Sequence, residues 1–321
     1  MRKLSKKILS LYAKKAIIGL ASVAMVATMS LSTINVSPVK GATTSSTLVW
    51  SDEFNGNSID ASKWGFEIGT GSNGWGNNEQ QYYTNRTDNA YVADGALHIR
   101  AKKEAYGGKN YTSARLNTNG KFTFTYGYVE ARLALPSSQG IWPAFWMLGA
   151  NYATDVWPKC GEIDIMENKG YQPNIVSSAL HFPGHSGGNP ITQTFGYEDQ
   201  RFDTDFHVFA VEWDESKIDF FADNVLYKRV KAADVTDGEW IFDHPFFIIL
   251  NVAVGGTFGG NPTADTVFPQ SMYVDYVRVY QKSTEVQPGT NTGDISSNGS
   301  IPGWDFNGPD SDKGLIEPEL K

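Results

Sequence analysis

The sequence predicts an all-β protein. Strand-like runs of β-branched and aromatic residues, separated by Gly, Asn, Asp or Pro clusters, follow one another from about residue 48 to residue 281. Helical periodicity is weak throughout. The composition, 32 Gly beside 9 Trp, 15 Tyr and 18 Phe, supplies many tight turns and many large flat side chains.

Residues 96–101 read as a strand, and so do residues 121–135, where Phe122, Phe124, Tyr126 and Tyr128 alternate with small or polar residues. Residues 162–166 form another. Residues 206–213, 218–222 and 225–230 read as a meander, with turns at 214–217 and at Asp223-Asn224. One short helical stretch is expected near 232–237. Residues 246–254 are apolar and read as a central strand, and residues 273–280 close the unit. No linker-like break and no internal repeat interrupts this region, which has the size of a large sandwich.

The flanks read differently. Arg2, Lys3, Lys6, Lys7, Lys14 and Lys15 form a basic head, residues 16–29 an apolar run, and small and polar residues lead to Gly41-Ala42. Residues 1–42 are therefore expected to be a secretory signal peptide, with the protein extracellular. The rival reading, a membrane anchor, needs an apolar run of roughly 20 residues, longer than this one. Residues 43–282 form the predicted folded domain. Residues 283–321, rich in Thr, Asn, Gly, Ser, Pro and acid, read as a disordered linker or tail. Residues 305–310 hint at a calcium loop, but the Gly at position six and the Glu at position twelve are missing.

Seven of the 27 basic residues and none of the 35 acidic ones lie within residues 1–42, so the remainder carries 20 against 35, a net −15. Such a chain suits neither nucleic acid nor an anionic membrane surface, whereas a neutral polymer needs no counter-charge. Cys160 is the single cysteine, so no intrachain disulfide forms and the core must hold by burial. No Cys/His signature surrounds it, and it reads as a small buried residue.

The chemistry centres on Gly161-Glu162-Ile163-Asp164-Ile165-Met166-Glu167. Three acids among apolar residues are costly unless they face a wet cleft. Regular alternation would turn Glu167 to the side of Ile163 and Ile165. A β-bulge around Ile165-Met166 returns it to the face of Glu162 and Asp164. Two carboxyls then stand across a glycosidic bond, and a separation of about 5–5.5 Å gives retaining hydrolysis. Asp164 between them would hydrogen-bond the nucleophile and influence both pKa values. The plain alternative, a solvated acidic edge strand, pairs its acids with Lys or Arg rather than with Ile and Met.

The Glu-Ile-Asp-Ile-Met-Glu run resembles the signature of glycoside hydrolase family 16, in its laminarinase-like branch. Further resemblance lies in Asp52-Glu53-Phe54-Asn55-Gly56, Gly74-Trp75-Gly76-Asn77-Asn78-Glu79, Gln81-Tyr82-Tyr83-Thr84, Ser113-Ala114-Arg115, residues 140–148 and residues 275–280. The resemblance implies a β-jelly-roll sandwich of two bent antiparallel sheets with a concave substrate cleft. It implies Glu162 as nucleophile, Asp164 as its helper and Glu167 as acid/base. Lichenase-type members lack the extra Met166, and the longer form favours β-1,3-glucan, with mixed β-1,3-1,4-glucan as a second candidate.

Trp142 and Trp146, four apart on one strand face, and Trp157 read alone as core residues. The resemblance makes them cleft residues that stack on sugar rings, while Trp213 is left to the core. It likewise implies that Asn78 and Arg115 bind sugar hydroxyls, and that His181 serves the acid/base or the leaving sugar. It implies no cofactor for catalysis, but a structural calcium held by Glu53, Gly95 and Asp275, pinning the terminal strands. A β-glucan is the expected partner, with no nucleic acid, no membrane after signal removal, and a monomeric enzyme. Galactan cleavage, xyloglucan transfer and binding without cleavage are the competing functions. The shorter acid motif of the transferases and the presence of all three acids weigh against the last two.

Overall fold

The computed structural model describes residues 46–282; the expected signal peptide and the expected tail lie outside the described residues. The strands in chain order are β1 (Ser46–Asp52), β2 (Gly65–Phe66), β3 (Gln81–Tyr83), β4 (Ala90–Ala93), β5 (Ala96–Tyr106), β6 (Lys109–Ser113), β7 (Arg115–Asn117), β8 (Gly127–Ala134) and β9 (Ile141–Gly149). Then follow β10 (Glu162–Asn168), β11 (Ile175–His181), β12 (Ile191–Gly196), β13 (His207–Trp213), β14 (Lys217–Ala222), β15 (Val225–Lys231), β16 (Phe246–Val254) and β17 (Gln270–Lys282). Among the described residues helix is confined to short turns, including a 3-10 turn at Ala232–Asp234 where the sequence suggested a longer stretch, and α1 (Gly256–Gly259).

Two sheets result. One runs β15-β14-β13-β8-β17-β5-β6-β3, with β1 beside β17 and β4 beside β5; the other runs β12-β11-β10-β9-β16-β7-β2. All pairs are antiparallel except β3 with β6. The order is far from chain order, as a jelly roll requires: β8 lies between β13 and β17, and β16 between β9 and β7.

The core lies between the sheets. Val129, Ala131 and Leu133 of β8 and Val277 and Val279 of β17 enter it from one side; Phe145, Met147, Ile163, Ile165, Met166, Ile248, Leu250 and Val252 enter from the other. All nine residues of β16 are buried, the reason this segment reads as an unbroken apolar run. β8 alternates instead, so its pattern is legible from Tyr128 onward. The run expected from residue 121 starts late because Tyr126 and Gly127 have φ of 63° and 136°, outside the extended region. Phe124 makes only an isolated bridge to Phe246.

The meander β13-β14-β15 matches expectation. The Asp214 carboxylate accepts the N–H of Ser216 (2.8 Å) and of Lys217 (3.1 Å), closing the first turn. Asp223 and Asn224 both have positive φ (47° and 67°), the two-residue turn whose twist suits a hairpin. Cys160 is buried, and burial pushes its thiol up to about 11, which rules out a ready nucleophile. Trp213 is a core residue as expected, 1% exposed. No helix among the described residues is long and apolar enough to cross a membrane.

Candidate active site

β10 carries the acids across one face of the seven-stranded sheet. Asp164 pairs with Ala179 of β11 and with Trp146 of β9; the next pairs are Glu167 with Ser177 and Met166 with Phe145. β10 therefore holds one residue more than either neighbour over this stretch, a β-bulge. Ile165 and Met166, adjacent in sequence, are both fully buried, and Glu167 returns partly exposed to the face of Glu162. The conflict between strand period and acid spacing is resolved as the sequence suggested.

Cross-strand rows furnish the floor. Ser177, Glu167, Ala144, Asn251 and Arg115 lie side by side on β11, β10, β9, β16 and β7. Ala144, with only a methyl group, leaves space between Glu167 and Asn251. The next row sets Asp164 beside Trp146, and the one after sets Glu162 beside His181.

The three acids differ in their partners. Glu162 and Asp164 share a hydrogen bond. His181 Nδ1 accepts the N–H of Gly187 at 3.2 Å, so in the neutral ring the proton sits on Nε2. That nitrogen is 3.2 Å from Asp164 Oδ2 and 3.8 Å from Glu162 Oε1. The Asp164 oxygen lacks hydrogen-bond alignment with it, so the contact is electrostatic. His181 thus pairs with Asp164 and Glu162, and its effect on the expected acid/base Glu167 is through its charge rather than a hydrogen bond. Glu167 instead accepts the indole N–H of Trp142 at 2.9 Å.

Burial raises all three carboxyls. Desolvation, then the charge of Asp164, pushes Glu162 up to about 8. Glu167 stands well above the ordinary carboxylate range, by desolvation first and then by the charges of Asp164 and Glu162; His181 and the Trp142 N–H pull the other way. Asp164 is raised by desolvation and eased by the hydrogen bond from Glu162. Like charges this close cannot all ionise, so the cluster retains protons at neutral pH. Glu162, Asp164 and His181 also offer ligand atoms within 4.8 Å of one another, a group among the described residues that could hold a metal ion.

The expected sugar-binding residues separate into groups. Trp146 is half-buried on the floor, its Nε1 donating to Asn251 Oδ1 at 2.7 Å. Arg115 lies between the ring faces of Trp75 and Trp146, 4.6 and 4.7 Å from their centroids, and is ion-paired to Glu67. Trp157 is 42% exposed and stands 5.8 Å from the His181 ring, at the rim beyond Glu162. Trp142 is only 8% exposed and packs on Phe258, so its structural part is to hold Glu167 rather than to offer a free face. Asn78 is exposed in a left-handed turn (φ 58°), and its neighbour Asn77 is the one that hydrogen-bonds the buried Glu79.

The expected calcium residues do meet at one corner. Asp275 lies in a bulge of β17 beside the Asp94-Gly95 hairpin turn, and Glu53 follows the Asp52–Val277 pair. Yet the Glu53 carboxylate is gripped by Arg278 through two bonds of 2.9 and 2.7 Å, and Arg132 holds Asp275 Oδ2 at 2.7 Å. The Glu53 carboxylate does not fit a calcium ligand; Arg278 already neutralises it.

Sequence reasoning missed Glu79, Gln81, Tyr83 and Asn251, all buried around the floor. A signal existed for Asn251, the one polar residue in the apolar run 246–254. A cavity of about 480 Å³ opens on the other sheet, between residues 125–128, the 214–216 turn and Tyr280, and none of the expected site residues lines it.

The model of glycosyl hydrolases family 16 matches residues 77–278, a span that contains the whole bulged strand and the floor around it. The chain belongs to that family. It is 45% identical over 251 residues to a beta-glucanase of Rhodothermus marinus, covering 73% of this chain and 85% of that one. It is 43% identical to the clotting factor G alpha subunit of Tachypleus tridentatus, covering 78% of this chain but only 36% of that protein. Among solved structures, the catalytic domain of an endo-1,3-beta-glucanase (laminarinase) from Thermotoga petrophila superposes with a TM-score of 0.72 at 46% identity. That match covers 74% of this chain and 99% of the other. The family fold is the jelly roll described above, and the family's catalysis needs no cofactor.

Proposed function

We propose that the protein is an endo-acting, retaining glycoside hydrolase of β-1,3-glucan, with mixed β-1,3-1,4-glucan as a second substrate. The observation that carries this reading is the bulge that turns Glu167 to the face of Glu162 and Asp164 on the cleft floor. The names of the Rhodothermus and Thermotoga relatives support the glucan assignment.

In the proposed reaction Glu162 attacks the anomeric carbon as the bond to the leaving sugar breaks. Glu167 gives its proton to the departing oxygen. The carboxylate of Glu167 then takes a proton from water, whose oxygen displaces Glu162 and restores the original configuration. In the reactive form the shared proton lies on Asp164, which donates to the Glu162 carboxylate and so orients it, and the charge of Glu162 favours the protonated form of Glu167. The Trp142 N–H aims the Glu167 carboxyl. Trp146 and Arg115 form the floor on which a sugar beside Asp164 rests, and Trp157 a platform at the rim.

Product analysis on laminarin and lichenan, with Glu162→Gln as control, tests this reading. Mixed oligosaccharides released from laminarin and lost in the variant support it. Release from agarose or carrageenan alone refutes it.

Residues 1–42 are proposed to direct secretion, a reading supported by their basic head and apolar run; sequencing the N-terminus of exported protein tests it. The enzyme is proposed to act as a monomer, which sedimentation checks. A calcium ion near Gly95 would draw on main-chain carbonyls and Asp275 Oδ1. A melting temperature lowered by chelator supports that ion, and an unchanged one means that the Glu53–Arg278 and Arg132–Asp275 pairs hold this corner alone.

A further inference from the structure

A line of buried polar groups runs behind the cleft floor, and none of its hydrogen bonds goes to the three acids. The Trp146 indole N–H donates to Asn251 Oδ1 at 2.7 Å. Asn251 Nδ2 donates to the Tyr83 hydroxyl at 3.1 Å, and that hydroxyl donates to Glu79 Oε2 at 3.0 Å. Gln81 Nε2 donates to the same carboxylate oxygen at 2.6 Å, while Gln81 Oε1 accepts the N–H of Val254 at 2.7 Å. Tyr83, Asn251, Glu79 and Gln81 are each no more than 5% exposed.

The line has a direction. An indole N–H can only donate, so it selects the oxygen of the Asn251 amide. The amide nitrogen then faces Tyr83, whose oxygen must accept and whose proton must go elsewhere. A carboxylate is the acceptor that takes it. Glu79 therefore sets the sense of every bond up to Trp146, and reversing any link strands a donor against a donor in a buried place. The chain also joins the two sheets, because Trp146 and Asn251 lie on β9 and β16 while Tyr83 lies on β3. At its end, Trp146 holds the Arg115 guanidinium against one ring face and stands beside Asp164 in the strand register.

We propose that Glu79 and Tyr83 are positioning residues which, acting through Asn251, fix the Trp146 indole and so set affinity for the glucan unit beside Asp164. The inference rests on the glucanase reading. Neither residue touches substrate or the reacting atoms. Their effect falls on binding rather than on bond cleavage, since the acids are held by other partners, His181 and Trp142.

The test is a double-mutant cycle of Tyr83→Phe and Trp146→Phe, read as KM and kcat on laminarin at a temperature well below melting. Tyr83→Phe is expected to raise KM about five- to tenfold, the scale of one buried unpaired polar group, with kcat changed less than about twofold. In the Trp146→Phe background, which lacks the indole N–H, adding Tyr83→Phe is expected to change KM by less than about twofold. The same factor in both backgrounds, or a lowered melting temperature with KM unchanged, refutes the relay and leaves Tyr83 a purely structural residue. Glu79→Gln is carried through the same cycle, so that poor folding of one variant does not decide the matter. Fluorescence titration of Glu162→Gln with laminarin oligosaccharides separates the two readings. No binding there overturns the glucanase reading and this inference with it, whereas binding together with an additive cycle overturns the relay alone.

Discussion

Replacing Glu162 with Gln is expected to raise the melting temperature, and to do so only where the pH exceeds the ordinary carboxylate range. Burial and Asp164 push this carboxyl from 4.5 up to about 8. Below the lower value both the folded and the unfolded chain hold the proton, and nothing is lost. Between the two values the unfolded chain releases its proton while the folded chain does not, so stability falls as pH rises and levels off above about 8. At ~1.36 kcal/mol per pKa unit, the full difference is about 5 kcal/mol. The Glu162 side chain is 19% exposed toward the cleft, and water there screens it, bringing the cost to about 2 kcal/mol. The Gln amide keeps a hydrogen bond to Asp164 without the charge. For a domain of this size, about 2 kcal/mol corresponds to a gain of roughly 4–8 °C. Calorimetric melting of both proteins near pH 4 and near pH 9 measures it, with a gain at about pH 9 and near coincidence at about pH 4. A gain equal at both pH values, or a less stable variant at about pH 9, refutes the reasoning that idle carboxylates strain this fold.

Glu167→Gln should lower the rate of the first step on laminarin by about 10²–10⁴-fold, yet spare that step, read as the burst of released phenol, on an aryl glucoside whose leaving group needs no proton; equal loss of the first step on both substrates contradicts the acid role. The pH–rate profile should be bell-shaped, with activity falling on the alkaline side as Glu167 loses its proton from a raised pKa. That limb should vanish for the aryl glucoside. Arg115→Lys should raise KM about tenfold, because an ammonium cannot lie flat between Trp75 and Trp146 as the guanidinium does; initial-rate kinetics on laminarin check it. Asp219→Ala should cost about 3 kcal/mol, read by urea denaturation, because it removes the 1%-exposed carboxylate shared by Arg229 and Lys217.

Much of the fold can be read directly from the chain because burial imposes a period on it. The nine apolar residues of β16 and the alternation of β8 mark a fully buried and a half-buried strand. The turns at Asp214 and Asp223-Asn224 announce themselves because their geometry demands particular side chains. The false start of β8 at residue 121 shows the limit: alternation persists through Phe122, Phe124 and Tyr126 because these rings pack on the core, although the backbone there is not extended. The bulge in β10 was visible as a contradiction, since two acids five positions apart cannot share one face of a regular strand unless its regularity breaks.

The features legible in the chain are therefore local: the strands, their turns, the three acids and the irregularity that aligns them. These depend on neighbours a few residues away, whose preferences short-range sterics and burial set. Which distant side chains meet depends instead on the closure of the two sheets. Trp142 and Trp146 look alike in the chain, yet one is packed on Phe258 to hold Glu167 and the other lies open beside Asp164. His181 attends Asp164, Glu53 is taken by Arg278, and Asn251 meets a tyrosine 168 residues earlier. The physical reason is that a hydrogen bond between distant residues leaves no period in the chain. It exists only once both sheets have closed and a buried donor must find whichever acceptor lies within about 3 Å.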